Sequence, residues 1–106
     1  MTSPEDRFTA IAAPLLREPG ITEGTGFGSR PGLRVGGKIF AMLIDDELVV
    51  KLPADRCAQL VAAGGARPFD RGQDRPMREW ICIADGDEWP ELAREALGFV
   101  GRRRAG

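Results

Sequence analysis

Few residues in this 106-residue chain have the type and spacing to do chemistry. Gly32-Leu33-Arg34-Val35-Gly36-Gly37-Lys38 fits the spacing of a phosphate-binding loop, G-x-x-x-x-G-K. That loop needs a Ser or Thr after the lysine for magnesium, and it must open a helix. Ile39 follows instead and starts the strongest strand pattern in the chain, so Gly36-Gly37 reads as a hairpin turn. Gly24-Thr25-Gly26-Phe27-Gly28 lacks the preceding strand and following helix of a dinucleotide fingerprint and reads as turn glycines. Asp45, Asp46 and Glu47 point in different directions on a turn, with no further ligands at calcium-loop spacing. Cys57 and Cys82 show no CxxC spacing and lie in apolar patterns, as small core residues do. No cofactor or metal is implied.

The chain has no histidine. That removes Ser-His-Asp and Cys-His catalysis, the commonest general base and the commonest zinc ligand. Two separated cysteines cannot close a four-ligand zinc site. The expectation is therefore a protein that is not an enzyme. The candidates left are basic and aromatic. Of the 15 basic residues, 13 are arginine, a skew that reads either as codon bias of a GC-rich genome or as a preference for planar, bidentate contacts. The formal charge of −1 opposes strong nonspecific binding to nucleic acid, so any DNA contact must come from a local cluster. Arg102-Arg103-Arg104 close the last helix, where cations complement its dipole. Trp80 could stack on a base, although its apolar strand favours a core role. Trp89 reads as core.

The elements that position these residues follow from periodicity. Ser3-Pro4-Glu5-Asp6 caps and starts a helix. Phe8, Ile11, Ala12, Leu15 and Leu16 form its apolar face, Pro14 disturbs its last turn, and Pro19-Gly20 ends it. Residues 21–37 are glycine-rich turns joining short strands. Lys38–Ile44 and Glu47–Leu52 form a hairpin about Asp45-Asp46. Counting outward from this two-residue loop pairs Ile44 with Glu47, then Leu43 with Leu48, Ala41 with Val50 and Ile39 with Leu52, and these last three apolar pairs share a core face. Lys38, Phe40, Met42, Glu47, Val49 and Lys51 fall on the other face. Its half-apolar middle needs a cover: a helix, a ligand or a second copy of the chain. Pro53–Ala63 is a second helix with Cys57, Leu60 and Val61 inward, and Arg67–Met77 a polar loop. Glu79–Ile83 is a central strand. Trp89, Leu92, Ala93, Ala96, Leu97 and Val100 mark a last helix. The order is that of an α+β fold in a single domain over 1–106. No signal peptide or 18-residue apolar stretch is present, so a cytoplasmic, non-membrane protein is expected.

Gly26-Phe27-Gly28, Gly32-Leu33, Gly37-Lys38-Ile39-Phe40-Ala41, Asp46-Glu47-Leu48, Lys51-Leu52, Pro68-Phe69 and Pro76-Met77 through Trp80 carry a resemblance. Over roughly residues 5 to 100 the chain resembles the TfoX N-terminal domain family, related to the MmcQ/YjbR-like "double wing" proteins. The resemblance implies a curved antiparallel sheet flanked by N-terminal, middle and C-terminal helices. It also implies a stand-alone regulatory binding module for DNA or protein, with no catalytic residues. The site candidates are Arg34, Lys38, Lys51, Arg78 and Trp80, with Lys38 and Lys51 expected on one face. Arg30, Arg71 and Arg75 would have to gather on the same face. The alternative is a small-molecule or homodimerisation domain using the half-apolar sheet face.

Overall fold

The computed structural model describes residues 3–24, 31–69, 77–84 and 86–105, and in 77–78 and 103–105 the backbone only. Its first helix, α1, is Pro4–Leu15. The Ser3 hydroxyl caps it by accepting the Asp6 amide at 3.1 Å, with Glu5 and Asp6 at the positive end of the dipole. Phe8, Ile11, Ala12 and Leu15 are its buried stripe. Pro14 sits one residue before the helix ends and, lacking an N–H, leaves the Ala10 carbonyl without its i+4 donor.

Six strands follow: β1 Ile21–Glu23, β2 Gly32–Val35, β3 Lys38–Ile44, β4 Glu47–Lys51, β5 Arg67–Phe69 and β6 Met77–Ile83. Helix α2, Ala54–Ala62, lies between β4 and β5. A 3-10 turn, Gly86–Glu88, leads into α3, Trp89–Ala105. The strands form one antiparallel sheet in the order β1-β2-β3-β4-β6-β5. The excursion through α2 thus carries the chain past one strand position, and β6 returns to fill the gap against β4. As the element order implies, the fold is α+β.

Both central hairpins turn on two residues with positive φ. Gly36 and Gly37 lie at 58° and 85°, Asp45 and Asp46 at 51° and 67°. Positive φ at both central positions is the turn whose twist matches the flanking strands. The Gly-Gly pair is therefore a hairpin turn that pairs Val35 with Lys38, as expected, and opens no helix.

The β3–β4 register follows the count from the turn: Ile44 opposes Glu47, Leu43 opposes Leu48, and Ala41 opposes Val50. The expected Ile39–Leu52 pair does not form. Across β2, Leu33 pairs with Ala41 and Arg34 with Ile39, so Phe40 is an extra residue in β3. This bulge reverses the alternation beyond it. Phe40, expected outside, is fully buried in the main core; Ile39, expected inside, is half-buried on the opposite face. Leu52 reaches the core by another route, its amide donating to the Glu79 carbonyl at 2.9 Å.

All three helices contribute to the core on one sheet face. Phe8 and Leu15 of α1, Cys57 of α2 and Trp89, Leu92 and Ala96 of α3 close over Leu33, Leu48, Val50 and Ile81. The buried Trp89 indole donates to the Ile83 carbonyl at 2.9 Å, so its one polar atom is satisfied. On the other face, Met42, Val49, Phe69 and Cys82 form a second, smaller cluster, with Ile39, Ile44 and Trp80 packed against it. Met42, Val49 and Cys82 are no more than 4% exposed, so the middle of this face is buried within the chain itself.

The segment read as a loop from Arg67 contains β5. It is three residues long and carries Pro68, which an edge strand tolerates because only one side of it is paired. So short a strand has no alternation from which to read it.

Candidate functional site

The bulge in β3 decides which candidate residues share a surface. Directly opposed residues in an antiparallel pair project to the same side. Arg34 opposes Ile39, and Lys51 opposes Trp80. Ile39 and Trp80 both pack on the smaller cluster, so Arg34, Ile39, Lys51 and Trp80 lie on the helix-free face, across β2, β3, β4 and β6. The Lys51 Nζ stands 5.8 Å from the centroid of the Trp80 ring, within cation–π range. Trp80 is half-buried and keeps part of its ring accessible. The Arg34 Nε is buried without a hydrogen-bond partner.

Lys38 goes elsewhere. It opposes Val35, which packs against the main core, so it belongs to the helix-bearing side and is exposed there. The expected pairing of Lys38 with Lys51 on one face is thus corrected by the extra residue, Phe40. Arg78 lies in β6 two residues before Trp80, and its backbone alone is described. Gly26-Phe27-Gly28, Arg30, Arg71, Arg75 and Pro76 lie outside the described residues.

The far end of the same face is acidic. Asp45 and Asp46 are exposed on the turn. Glu47 forms an ion pair with Arg67 of β5, reaching over the intervening strand β6. Arg67 opposes Cys82, so the pair spans the surface above that thiol. Burial pushes the Cys82 thiol up from its ordinary value, partly offset by Arg67 and reinforced by Glu47 and Asp45. Cys57 is likewise raised, mainly by burial, and its Sγ lies 3.5 Å from the Leu52 carbonyl. Neither cysteine has the electropositive, accessible setting of a reactive thiol. Among the described residues there is no group of three side chains that could hold a metal ion.

Sequence reasoning missed Arg67, because it fell in a stretch without periodicity. The acidic end, with Glu47 and the Asp45-Asp46 turn, is legible from the hairpin register; that Lys38 leaves this face and Lys51 faces Trp80 is not, since it depends on the bulge and on β6 lying beside β4.

Fold and site together define a small α+β domain with helices on one sheet face and a cation–aromatic row on the other. The chain belongs to the YjbR family, whose model matches residues 16–97 and so takes in the whole sheet, Arg34, Lys51 and Trp80. This is the MmcQ/YjbR-like side of the resemblance drawn from its motifs. Comparison with curated proteins and with solved structures returns no significant match. Among the described residues no helix is long and apolar enough to cross a membrane.

Proposed function

We propose that this chain is a non-enzymatic regulatory module of the cytoplasm that binds DNA through the helix-free face of its sheet. The observation that carries this reading is the Lys51–Trp80 pair on β4 and β6, with Arg34 on the same face two strands away, beyond Ile39 of β3. An accessible indole offers a stacking surface for a base, worth about 1–3 kcal/mol per base in nucleic-acid grooves. Flanking cations supply phosphate contacts. The acidic turn at Asp45-Asp46 keeps the phosphate backbone to the other end of the face. With so few cations and a net charge of −1, binding is weak and sensitive to salt. The absence of histidine supports the non-enzymatic part of the reading.

The test is fluorescence anisotropy with labelled single-stranded and duplex DNA at low and physiological salt. Lys51→Ala and Trp80→Ala should each weaken binding. Lys51→Ala should also flatten the salt slope by about one unit. Lys38→Ala, on the opposite side, should leave affinity nearly unchanged. No binding at low salt, or equal losses for Lys38→Ala and Lys51→Ala, would rule the reading out. A homodimer or small-molecule surface on this face would rest on Ile39, Ile44 and Trp80, since Met42, Val49 and Cys82 are already buried.

A further inference from the structure

A cleft of about 420 Å³ opens between α1 and the start of α3, within the size range of small-ligand pockets. It belongs to the helices, not to the sheet face that carries Lys51 and Trp80. Arg7, Ala10, Ile11 and Pro14 recur at i, i+3, i+4 and i+7 and so present one stripe of α1 to it. Pro90 and Arg94, four residues apart on α3, form the opposite wall. Ile11 and Leu15 are buried and make an apolar floor. Arg7 and Arg94 are exposed and stand at the rim. No carboxylate is among the described lining residues.

We propose that this cleft binds a small organic acid, a carboxylate carried on an apolar aryl or alkyl body. Two guanidinium groups above an apolar floor match such an amphipathic anion: the planar fork takes the carboxylate, and the floor takes the hydrocarbon. The position of Arg7 is built into the chain. Its side chain fills the space that a Cβ on Gly86 would occupy, so glycine at the start of the 3-10 turn lets the guanidinium lie close to the backbone. Arg94 is held by Glu18 at 3.0 Å, but their side chains are 60% and 41% exposed. So exposed a pair is weak, and a ligand carboxylate can displace Glu18.

The experiment is a titration of the ¹⁵N-labelled full chain, followed by amide chemical shifts, with phenylacetate, phenylacetamide and acetate as probes. Phenylacetate should give saturable shifts at Arg7, Ala10, Ile11 and Arg94, with a dissociation constant on the order of 1 mM for a ligand of this size. Phenylacetamide lacks the charge and acetate lacks the apolar body, so each should bind at least about tenfold more weakly. Arg7→Gln and Arg94→Gln should each weaken phenylacetate about fivefold or more, while Glu18→Gln, which removes the internal competitor, should strengthen it. The same spectra show whether each variant is folded. The proposal is overturned by the absence of saturable shifts up to roughly 20 mM phenylacetate. It is equally overturned if phenylacetamide binds as well as phenylacetate, or if the shifts centre on Lys51 and Trp80.

Discussion

Lys51 faces Trp80 across the β4–β6 ladder, its ammonium 5.8 Å from the centre of the indole ring. A cation held over a half-exposed ring contributes about 0.5–1 kcal/mol. Lys51→Met keeps the aliphatic stem and removes the charge. It should lower stability by no more than about 1 kcal/mol in urea denaturation while weakening DNA binding. If that substitution unfolds the domain, Lys51 has a structural role that its position does not explain.

The bulge at Phe40 makes a sharp contrast between neighbours. Phe40 is fully buried in the main core, and Ile39 is half-buried on the other face. Phe40→Ala should cost about 3–5 kcal/mol by chemical denaturation, as deletion of a packed ring does. Ile39→Ala should cost clearly less, about 1–2 kcal/mol, because water already reaches part of the side chain. Equal losses would place the bulge elsewhere.

Leu48 pairs with Leu43 on one side and Ile83 on the other and is fully buried. Leu48→Ala should cost about 2–5 kcal/mol through lost transfer energy and the cavity left behind. A loss below about 0.5 kcal/mol, the range of surface substitutions, would contradict the register of the hairpin.

Both cysteines should resist labelling by a thiol reagent until the protein unfolds, since burial raises both thiols. They should not pair with each other: Cys57 lies in the main core and Cys82 in the cluster on the other face. The pH dependence has a definite sign. A thiol raised in the folded state adds no pH dependence well below the ordinary value of 9.0. Above it the unfolded chain loses its protons first, so stability should fall as pH rises further. Thermal melts from pH 7 to 10 on the wild type and a Cys57→Ala/Cys82→Ala variant would show it, the variant having the shallower decline.

The two turns should respond oppositely to substitution. Gly37 lies at φ +85° with open space around its missing Cβ. Gly37→Ala should therefore cost about 1 kcal/mol through backbone strain alone. Asp46, at φ 67°, carries that strain already, and Asp46→Gly should be stabilising by up to about 1 kcal/mol. Urea midpoints of the two variants would check the signs.

Local patterns in the chain were enough for the helices, the hairpin and the fold class. Ser3-Pro4 and the stripe from Phe8 to Leu15 announce α1, and Gly36-Gly37 and Asp45-Asp46 announce turns, because caps and positive-φ turns are encoded within a few residues. The apolar runs of β3, β4 and β6 likewise identify a buried sheet. The exclusion of histidine chemistry also needs composition alone.

Other features depend on contacts between distant segments. Whether Phe40 or Ile39 enters the core is set by where β2 locks onto β3, and a one-residue slip exchanges the faces of everything beyond it. That slip moves Lys38 to the helix side and leaves Arg34 on the same face as Lys51 and Trp80. The ion pair of Glu47 with Arg67 exists because β6 inserts between β4 and β5. The cleft under Arg7 and Arg94 exists because α1 and α3, at opposite ends of the chain, pack on the same sheet face. The sequence by itself determined the elements and the available chemistry, since both arise from short-range propensity and composition. Tertiary structure alone decided which charges share a surface, because the energy selecting that arrangement comes from burying residues far apart in the chain.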